Sequence, residues 1–131
     1  MAIKNLFNRR SECDEQAGGS RNIYQLRIYE VSPDKRDVFH TRFRDHALRI
    51  MKRYGFEIIA LWESTSVVNF EFVYLVRWPD AETMDRQWKA FLADEEWIGI
   101  KKDTVRETGE PVVRVTSRLL DNVDYCPAFN P

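Results

Sequence analysis

The feature that most constrains the fold is a strand-like segment with hydrophobic side chains on both of its faces. Residues 69–78 alternate with a period of two, with Phe72 and Tyr74 on one side and Val73 and Leu75 on the other. A strand of this kind has to be covered on both faces. We therefore expect a sheet that carries helices on one face and a second apolar layer on the other.

Three further segments have the alternation that is typical of strands: residues 22–31, 56–64 and 112–120. In the first strand, the apolar side chains are expected to face the helix-covered core: Tyr24, Leu26 and Ile28. The side chains between them are expected to face the second layer: Gln25, Arg27 and Tyr29. In the second strand, one face is expected to hold Ile58, Ala60 and Trp62.

Two helices are predicted between these strands. The first starts at Ser32 and Pro33, as N-cap and first helical residue, and Gly55 ends it after about twenty residues. Its apolar stripe recurs at spacings of three and four: Phe39, Phe43, His46, Ala47, Ile50 and Tyr54. Its basic side is expected to be a solvated surface: Arg42, Arg44, Arg49, Lys52 and Arg53.

The second helix follows Pro79, with Asp80 as its N-cap. Its buried stripe is expected to comprise Met84, Trp88, Phe91 and Leu92. Residues 94–97 are expected to open a further short helical piece that ends near Lys102 or Val105.

The order of these elements, β-α-β-β-α-β, predicts an α+β fold of the ferredoxin-like kind, with an antiparallel four-stranded sheet in the order 4-1-3-2. Two helices cover only one face of such a sheet. The other face would then carry aromatic side chains beside two arginines: Trp62, Phe72, Tyr74 and Trp78 with Arg27 and Arg114. Because so much aromatic surface does not stay in water, we expect an isologous homodimer that packs two sheets face to face.

Residues 22–131 are expected to form this single domain, and residues 1–21 a flexible N-terminal tail. The alternative for the tail is a segment that docks on a partner through Ile3, Leu6 and Phe7.

Charge and composition exclude several classes of partner. The formal net charge of −1 and the pI of about 6.1 predict no nucleic-acid partner and no membrane partner. No apolar run approaches the roughly 18 residues of a spanning helix, and Met1–Phe7 is too polar for a signal peptide, so we expect a cytoplasmic protein. Cys13, Cys126 and two histidines do not make a zinc site, and no phosphate loop or dinucleotide fingerprint is present. We therefore expect neither a metal nor a cofactor.

Six motifs, in the correct order, resemble those of the NIPSNAP domain. They are Tyr24–Tyr29, Phe43–Ile50, Gly55-Phe56 with Leu61-Trp62, Asn69–Leu75, Asp94–Trp97, and Ser117–Leu120 with Pro127–Pro131. The resemblance runs from about residue 22 to residue 131.

The NIPSNAP resemblance implies a dimeric α+β barrel, in which two ferredoxin-like subunits pack together. Relatives in that barrel group include cofactor-independent monooxygenases, isomerases and haem proteins. The chain departs from the family pattern at three positions, with Gln25 for Glu, Arg49 for Pro and Tyr54 for His. If relatives use that Glu or that His for chemistry, this chain lacks the group that performs it.

The best candidate for a ligand-binding site is a group of side chains on the inner sheet face: Gln25, Arg27, Tyr29, Trp62, Tyr74 and Arg114. Arg27 and Arg114 lie on neighbouring strands, so their guanidinium groups could bind one carboxylate or other anion together, with Tyr74 supplying a hydroxyl. The alternative is an interface network in which Arg27 pairs with Glu30 or Glu71.

His46 is the candidate catalytic residue, because a histidine on the first helix's stripe could act as a general base near neutral pH. The alternative is a structural histidine whose ring nitrogens are hydrogen-bonded. Three functions are left open. The chain either binds a small anionic or aromatic ligand in the barrel, acts as a cofactor-independent monooxygenase-like or isomerase-like enzyme, or is a structural interaction protein.

Overall fold

The computed structural model of the protein describes residues 22–65 and 69–127. The strands are β1 (Ile23–Val31), β2 (Glu57–Thr65), β3 (Phe70–Trp78) and β4 (Val112–Leu120). The helices are α1 (Arg36–Arg42), α2 (Leu48–Arg53), α3 (Ala81–Leu92) and α4 (Glu95–Thr108). The predicted tail, the turn at residues 66–68 and the last part of the closing motif, residues 128–131, lie outside the described residues.

The four strands form one antiparallel sheet in the order β2-β3-β1-β4, so the predicted α+β, ferredoxin-like fold is confirmed. A single chain forms an open sheet, with β2 and β4 at its edges, and the barrel is not closed. None of the described helices is both long enough and apolar enough to cross a bilayer.

The helix ends follow local rules that the sequence carries. The side chains of Asp80 and Asp94 cap α3 and α4 by accepting hydrogen bonds from backbone N–H groups, at 2.7 and 2.8 Å. Gly55 has a φ of 77°, as expected after a helix. Two expectations are wrong. The Ser32 side chain makes no capping bond, and α4 is a full helix that runs to Thr108.

α1 and α2 are parts of one continuous helix, joined by a π-helical turn at Phe43–Ala47 and preceded by a 3-10 turn at Pro33–Lys35. We call this whole element the first helix. A π-helical turn takes more residues per turn than an α-helix, so it changes which side chains face the sheet. In the first helix Arg42 is buried beside Phe43, and Ala47 of the predicted stripe is fully buried, whereas His46 of that stripe is half-buried. The prediction that Arg42 lies on a solvated surface is wrong.

The sheet packs against the helices with the face opposite to the predicted one. On β1, Gln25 hydrogen-bonds the indole of Trp88 on α3, and Tyr29 packs on Phe39 and Phe43 of the first helix. Arg27, between them, stacks on Trp88. The expectation that Tyr24, Leu26 and Ile28 face the helices is wrong, since they alternate with these residues. We call the two sides the helix-side face and the open face.

On β3, the larger aromatic residues belong to the helix-side face, so they are core and not the second layer. Tyr74 packs on Phe43, and Trp78 packs on Phe56. Tyr74, Val76 and Trp78 are fully buried. The expectation that Phe72, Tyr74 and Trp78 lie on the uncovered face is therefore wrong. This core alone explains much of the aromatic content of the chain.

A bulge in β2 accounts for the position of Trp62. The pairing with β3 shifts between Ile58 and Ala60, so Ile59 is the extra residue. Ile58 pairs with Val76 of the helix-side face, whereas Trp62 pairs with Val73 of the open face. The prediction that Ile58 and Trp62 share a face is wrong for this reason.

The open face has an apolar centre on β1, β2 and β3 even without those large aromatics, whereas β4 adds Arg114 and Arg118 to it. It carries Leu26, Ile28, Ala60, Trp62, Val73 and Leu75, as the strand pairing shows. Trp62 is 48% exposed. At one end of this face, residues 121–127 pass beside Tyr24 and enclose with it an open groove of about 550 Å³. The sheet thus has apolar side chains on both faces, as the sequence of β3 predicts, whereas the layer expected to cover the open face stays a prediction.

Candidate functional site

A cavity of about 190 Å³ lies between the helix-side face and the helices. We call it the Arg27 cavity. Its walls are mostly aromatic rings: Tyr29, Phe39, Phe43, Trp88, Phe91 and Trp97. Its charged groups are Arg27, Arg42, Lys101 and Glu110. An apolar pocket with a few convergent polar groups is typical of small-molecule sites.

Arg27 lies between this cavity and the ring of Trp88. Its guanidinium carbon is 4.3 Å from the centroid of Trp88 and 5.4 Å from that of Tyr29. Its Nη2 atom donates a long hydrogen bond of 3.4 Å to the Tyr29 hydroxyl, and its buried Nε–H has no hydrogen-bond partner. None of the ion pairs within the described ranges involves Arg27. Because a guanidinium stays charged at any pH that proteins tolerate, Arg27 is a cation that has no counterion among the residues that the structure describes.

The hydroxyl groups of Tyr29 and Tyr74 form a hydrogen bond of 2.7 Å beside Arg27, and either oxygen can be the donor. The two rings meet edge to face at 5.5 Å. Burial raises the pKa of Tyr74 well above the ordinary value for tyrosine, so its hydroxyl keeps its proton. Tyr29 is the member of the pair that lines the cavity, so its hydroxyl is the one that a bound molecule can reach, and the neutral Tyr74 behind it does not balance the charge of Arg27.

Gln25 fixes the position of the Trp88 ring over Arg27. Its side-chain oxygen accepts hydrogen bonds from the indole N–H groups of Trp78 and Trp88, at 3.0 and 2.7 Å. Its amide nitrogen donates to the hydroxyl of Ser117, at 3.0 Å. With these bonds made, Gln25 acts as a structural bridge between the sheet and α3.

Arg42 and Glu110 form the charged part of the opposite wall. The Nη2 atom of Arg42 donates to Glu110 at 3.1 Å, and its guanidinium carbon is 5.6 Å from the centroid of Trp97. Lys101 lies on the same ring, with its Nζ at 5.7 Å. Burial raises the pKa of Glu110, but the bonds from Arg42 and from the backbone of Val112 lower it more, and the net pKa is below the usual range.

Sequence reasoning missed this wall, and only a weak signal was available for it. Arg42 looks like one of several exposed arginines, but it lies three residues after Phe39 and is buried on the same side of the helix. Glu110 follows Gly109, a glycine with a φ of 87° that ends α4, and such a turn residue carries no periodic pattern.

Four of the predicted ligand-binding residues are brought together on the helix-side face: Gln25, Arg27, Tyr29 and Tyr74. The other two lie on the open face. Trp62 pairs there with Val73, and the Nε atom of Arg114 is 3.3 Å from Glu30. The expected convergence of Arg27 and Arg114 on one anion is therefore wrong, and so is the alternative pairing of Arg27 with Glu30 or Glu71.

His46 lies away from the Arg27 cavity. It is half-buried in an open groove of about 560 Å³ between the first helix and α4, and its Nδ1 is 3.0 Å from the Nη2 of Arg49. Asp37, Asp103 and Glu107 line the same groove. Its role as a general base stays a prediction. Throughout residues 22–65 and 69–127, no group of three or more potential ligands is placed to hold a metal ion.

Comparison with known proteins agrees with this fold. Similar solved structures include an uncharacterized NIPSNAP-like domain protein from Burkholderia xenovorans, with a TM-score of 0.68 and 23% identity over 85% of this chain and 93% of the other. A NIPSNAP family protein of unknown function from Agrobacterium tumefaciens has a TM-score of 0.68 and 14% identity, over 83% and 95% of the two chains. At these identities the likeness shows the fold alone.

No curated protein matches the chain. The family model described as NIPSNAP matches residues 24–127, which is most of the sequence and all of the sheet except its first residue. The chain therefore belongs to the NIPSNAP family.

Proposed function

We propose that this protein binds a small anionic ligand in the Arg27 cavity and that it does so as a homodimer. The observation that supports the binding site is Arg27 itself, a cation on a ring-lined cavity that makes no ion pair with any residue that the structure describes. Leaving a partly buried charge without a counterion costs stability. A bound anion removes this cost, which is why an anion is the class of ligand we propose.

The charges of the cavity support the same class. Arg42 is already paired with Glu110, so Arg27 and Lys101 are left as the lining charges without such a bond. A cavity with excess positive charge and low polarity attracts anions and strengthens their hydrogen bonds. A neutral or cationic ligand would leave Arg27 uncompensated.

The experiment is a titration of the ¹⁵N-labelled protein with acetate, benzoate and inorganic phosphate, read at the four Trp indole signals. We expect saturable shifts of the Trp88 and Trp97 signals, because these rings line the cavity. Trp62, on the open face, is the internal reference. Arg27→Gln should abolish the shifts, whereas Arg106→Gln, on the exposed surface of α4, should not. If none of the three anions shifts Trp88 in the unmodified chain, anion binding is disproved.

The proposed homodimer rests on the open face. Four nine-residue strands present a surface of roughly 20 by 30 Å, comparable to the area that one partner contributes to a stable interface. Its apolar side chains would be buried by a second copy of the same face, and two open sheets would then close into one barrel.

Light scattering coupled to size-exclusion chromatography tests the dimer. Trp62→Ser and Val73→Asp are expected to shift the protein toward the monomer at micromolar concentration. Leu61→Ser is the matched control, because Leu61 is 42% exposed on the same strand but pairs with Tyr74 of the helix-side face. A wild-type protein that runs as a monomer at this concentration would overturn the dimer. The expected cytoplasmic location stays a prediction.

The Tyr29–Tyr74 pair favours one alternative, an isomerase-like enzyme that moves a proton on the bound anion. Tyr29 lines the cavity, and its hydroxyl would donate a hydrogen bond to the enolate oxygen while the Glu110 carboxylate of the same cavity takes the proton from carbon and returns it. Pyruvate, a small enolisable anion, is the probe: the enzyme would exchange its methyl protons for solvent deuterium faster than the Tyr29→Phe variant does. Equal exchange rates for the two proteins would argue for binding without chemistry.

A further inference from the structure

We infer that the Arg27 cavity is built for one kind of anion, a monocarboxylate attached to a single aromatic ring. This inference rests on the proposed function and narrows its ligand class. Three properties of the cavity support this ligand class: its volume, the nature of its walls and the number of its unpaired cations.

The volume limits the ligand to one ring. A cavity of about 150 Å³ lined by apolar side chains is known to hold benzene. The Arg27 cavity, at about 190 Å³, has room for the same ring and one small substituent. The cavity is open to one side, so a second fused ring would exceed this volume and would have to extend past Leu92, which is 50% exposed at the cavity's edge.

The walls favour a ring over an aliphatic group of the same size. Phe91 lies between two indoles, 5.8 Å from the Trp88 centroid at an interplanar angle of 79° and 5.3 Å from the Trp97 centroid at 28°. Phe39 and Phe43 add a stacked pair at 5.8 Å. An aromatic guest can continue these edge-to-face and stacked contacts, which are worth about two- to tenfold in affinity beyond the area they bury.

The cations favour a single carboxylate. Arg27 is the guanidinium of the cavity that makes no ion pair within the described part of the chain, and its Nε–H lacks an acceptor. A carboxylate that meets the guanidinium in a bidentate contact from the cavity supplies two acceptors at once. The second guanidinium, that of Arg42, already holds Glu110 at 3.1 Å, so a second carboxylate on the ligand would lack an equivalent site.

The test is a matched series of ligands, titrated calorimetrically against the full chain and followed at the Trp88 indole signal. Benzoate is expected to bind tightest. Cyclohexanecarboxylate should bind at least twofold more weakly because it lacks the ring electrons, and benzamide at least tenfold more weakly because it lacks the charge. Terephthalate and 2-naphthoate should not compete with benzoate at equal concentration.

Two substitutions at half-exposed positions test where benzoate binds. Leu92→Trp should block the cavity and weaken benzoate binding at least tenfold. Val105→Trp, which changes another side chain that is 50% exposed but faces away on α4, should leave the affinity unchanged.

The outcomes separate this inference from the proposed function. If acetate and cyclohexanecarboxylate bind as tightly as benzoate and all three depend on Arg27, the anion site stands and the aromatic ligand class is overturned. If 2-naphthoate binds as tightly as benzoate, the limit to one ring is overturned. If no carboxylate binds but inorganic phosphate does, the carboxylate class is overturned and the anion site stands; if neither binds, the proposed function itself fails.

Discussion

At the scale of single residues, the chain places a charge where a structure selected only for stability would place an apolar group. Arg27 contacts the ring of Trp88 and the hydroxyl of Tyr29, and neither of these neutralises it. Residues that lower stability but persist are typical of binding sites. The sequence showed that Arg27 and Tyr74 are candidates, but it could not show that they meet, because alternation does not tell which face of a strand the helices cover.

Arg27→Met should therefore make the unliganded protein more stable, by about 1 kcal/mol, because it removes an uncompensated charge and keeps the volume of the side chain. The same variant should lose anion binding. Urea unfolding with and without benzoate measures both effects. A loss of stability in the absence of ligand would mean that the contact of Arg27 with Trp88 outweighs the cost of its charge.

Gln25 makes the opposite kind of contribution, since its hydrogen bonds are complete. Gln25→Leu leaves the indole N–H groups of Trp78 and Trp88 without an acceptor, and we expect it to lower the free energy of unfolding by about 2–4 kcal/mol. Gln25→Glu keeps both acceptors and should preserve the fold, but it adds a carboxylate near Arg27. It should weaken benzoate binding, which calorimetry can measure. Unchanged affinity in this variant would show that position 25 does not influence the charge at Arg27.

At the scale of elements, the periodic parts of the chain were predictable and the irregular parts were not. The bounds of β4 and the caps of α3 and α4 follow from alternation and from aspartates at helix starts. The bulge at Ile59 and the π-helical turn at Phe43–Ala47 each add one residue to a regular element, and the hydrophobic periodicity of the sequence does not predict either of them. The bulge places Ile58 on the helix-side face and leaves Trp62 on the open face, where it was expected, so the two do not share a face. Arg42 is buried although the sequence presents it as one of several surface arginines.

The two helix caps should differ in strength. Asp80→Ala removes one exposed hydrogen bond and should cost about 1 kcal/mol. Asp94→Ala should cost more, because the buried Asp94 carboxylate also accepts from the Tyr54 hydroxyl, at 2.6 Å, and pairs with Arg53. Chemical denaturation of the two variants gives the comparison. Equal costs would mean that the bond to Tyr54 adds nothing.

The Glu63 carboxylate on β2 bonds the first helix to the sheet, and it makes the free energy of unfolding depend on pH. Glu63 accepts two hydrogen bonds of 2.8 Å from Arg36 and lies 2.5 Å from the Nε2 of His40. The Arg36 bonds and then the His40 bond lower the pKa of Glu63 to about 2. Because this folded-state pKa is depressed, the pair stabilises the protein above about pH 4.5, and the contribution disappears as the pH falls toward 2.

The stability difference between the wild type and Glu63→Gln should therefore shrink from pH 5 to pH 2.5, with the wild type more stable at the upper end. Urea midpoints measured across this range provide the test. Glu95→Gln, in the first turn of α4, controls for the loss of a surface carboxylate. A difference that stays constant with pH would show that the Glu63 contacts do not stabilise the fold.

At the scale of the whole molecule, the sheet separates two apolar environments with different uses. The helix-side face holds the aromatic core and the Arg27 cavity. The open face holds smaller aliphatic side chains and Trp62. The sequence indicated two apolar layers because β3 is hydrophobic on both sides. It could not show which layer the helices cover, because the polar residues Gln25 and Arg27 of β1 find their partners in tryptophan rings from distant parts of the chain.

One consequence follows from β4, which pairs with β1 on one side and is an edge of the described sheet on the other. Val112 and Val115 of this strand line the Arg27 cavity, so part of the cavity wall is a strand held by one ladder of hydrogen bonds. Edge strands open more readily than central ones. A ligand can therefore leave when β4 loosens, and its residence time should follow the hydrogen-exchange rates of the β4 amides. A bound ligand would in turn slow those rates, so that hydrogen exchange at the β4 amides would report whether the cavity is occupied.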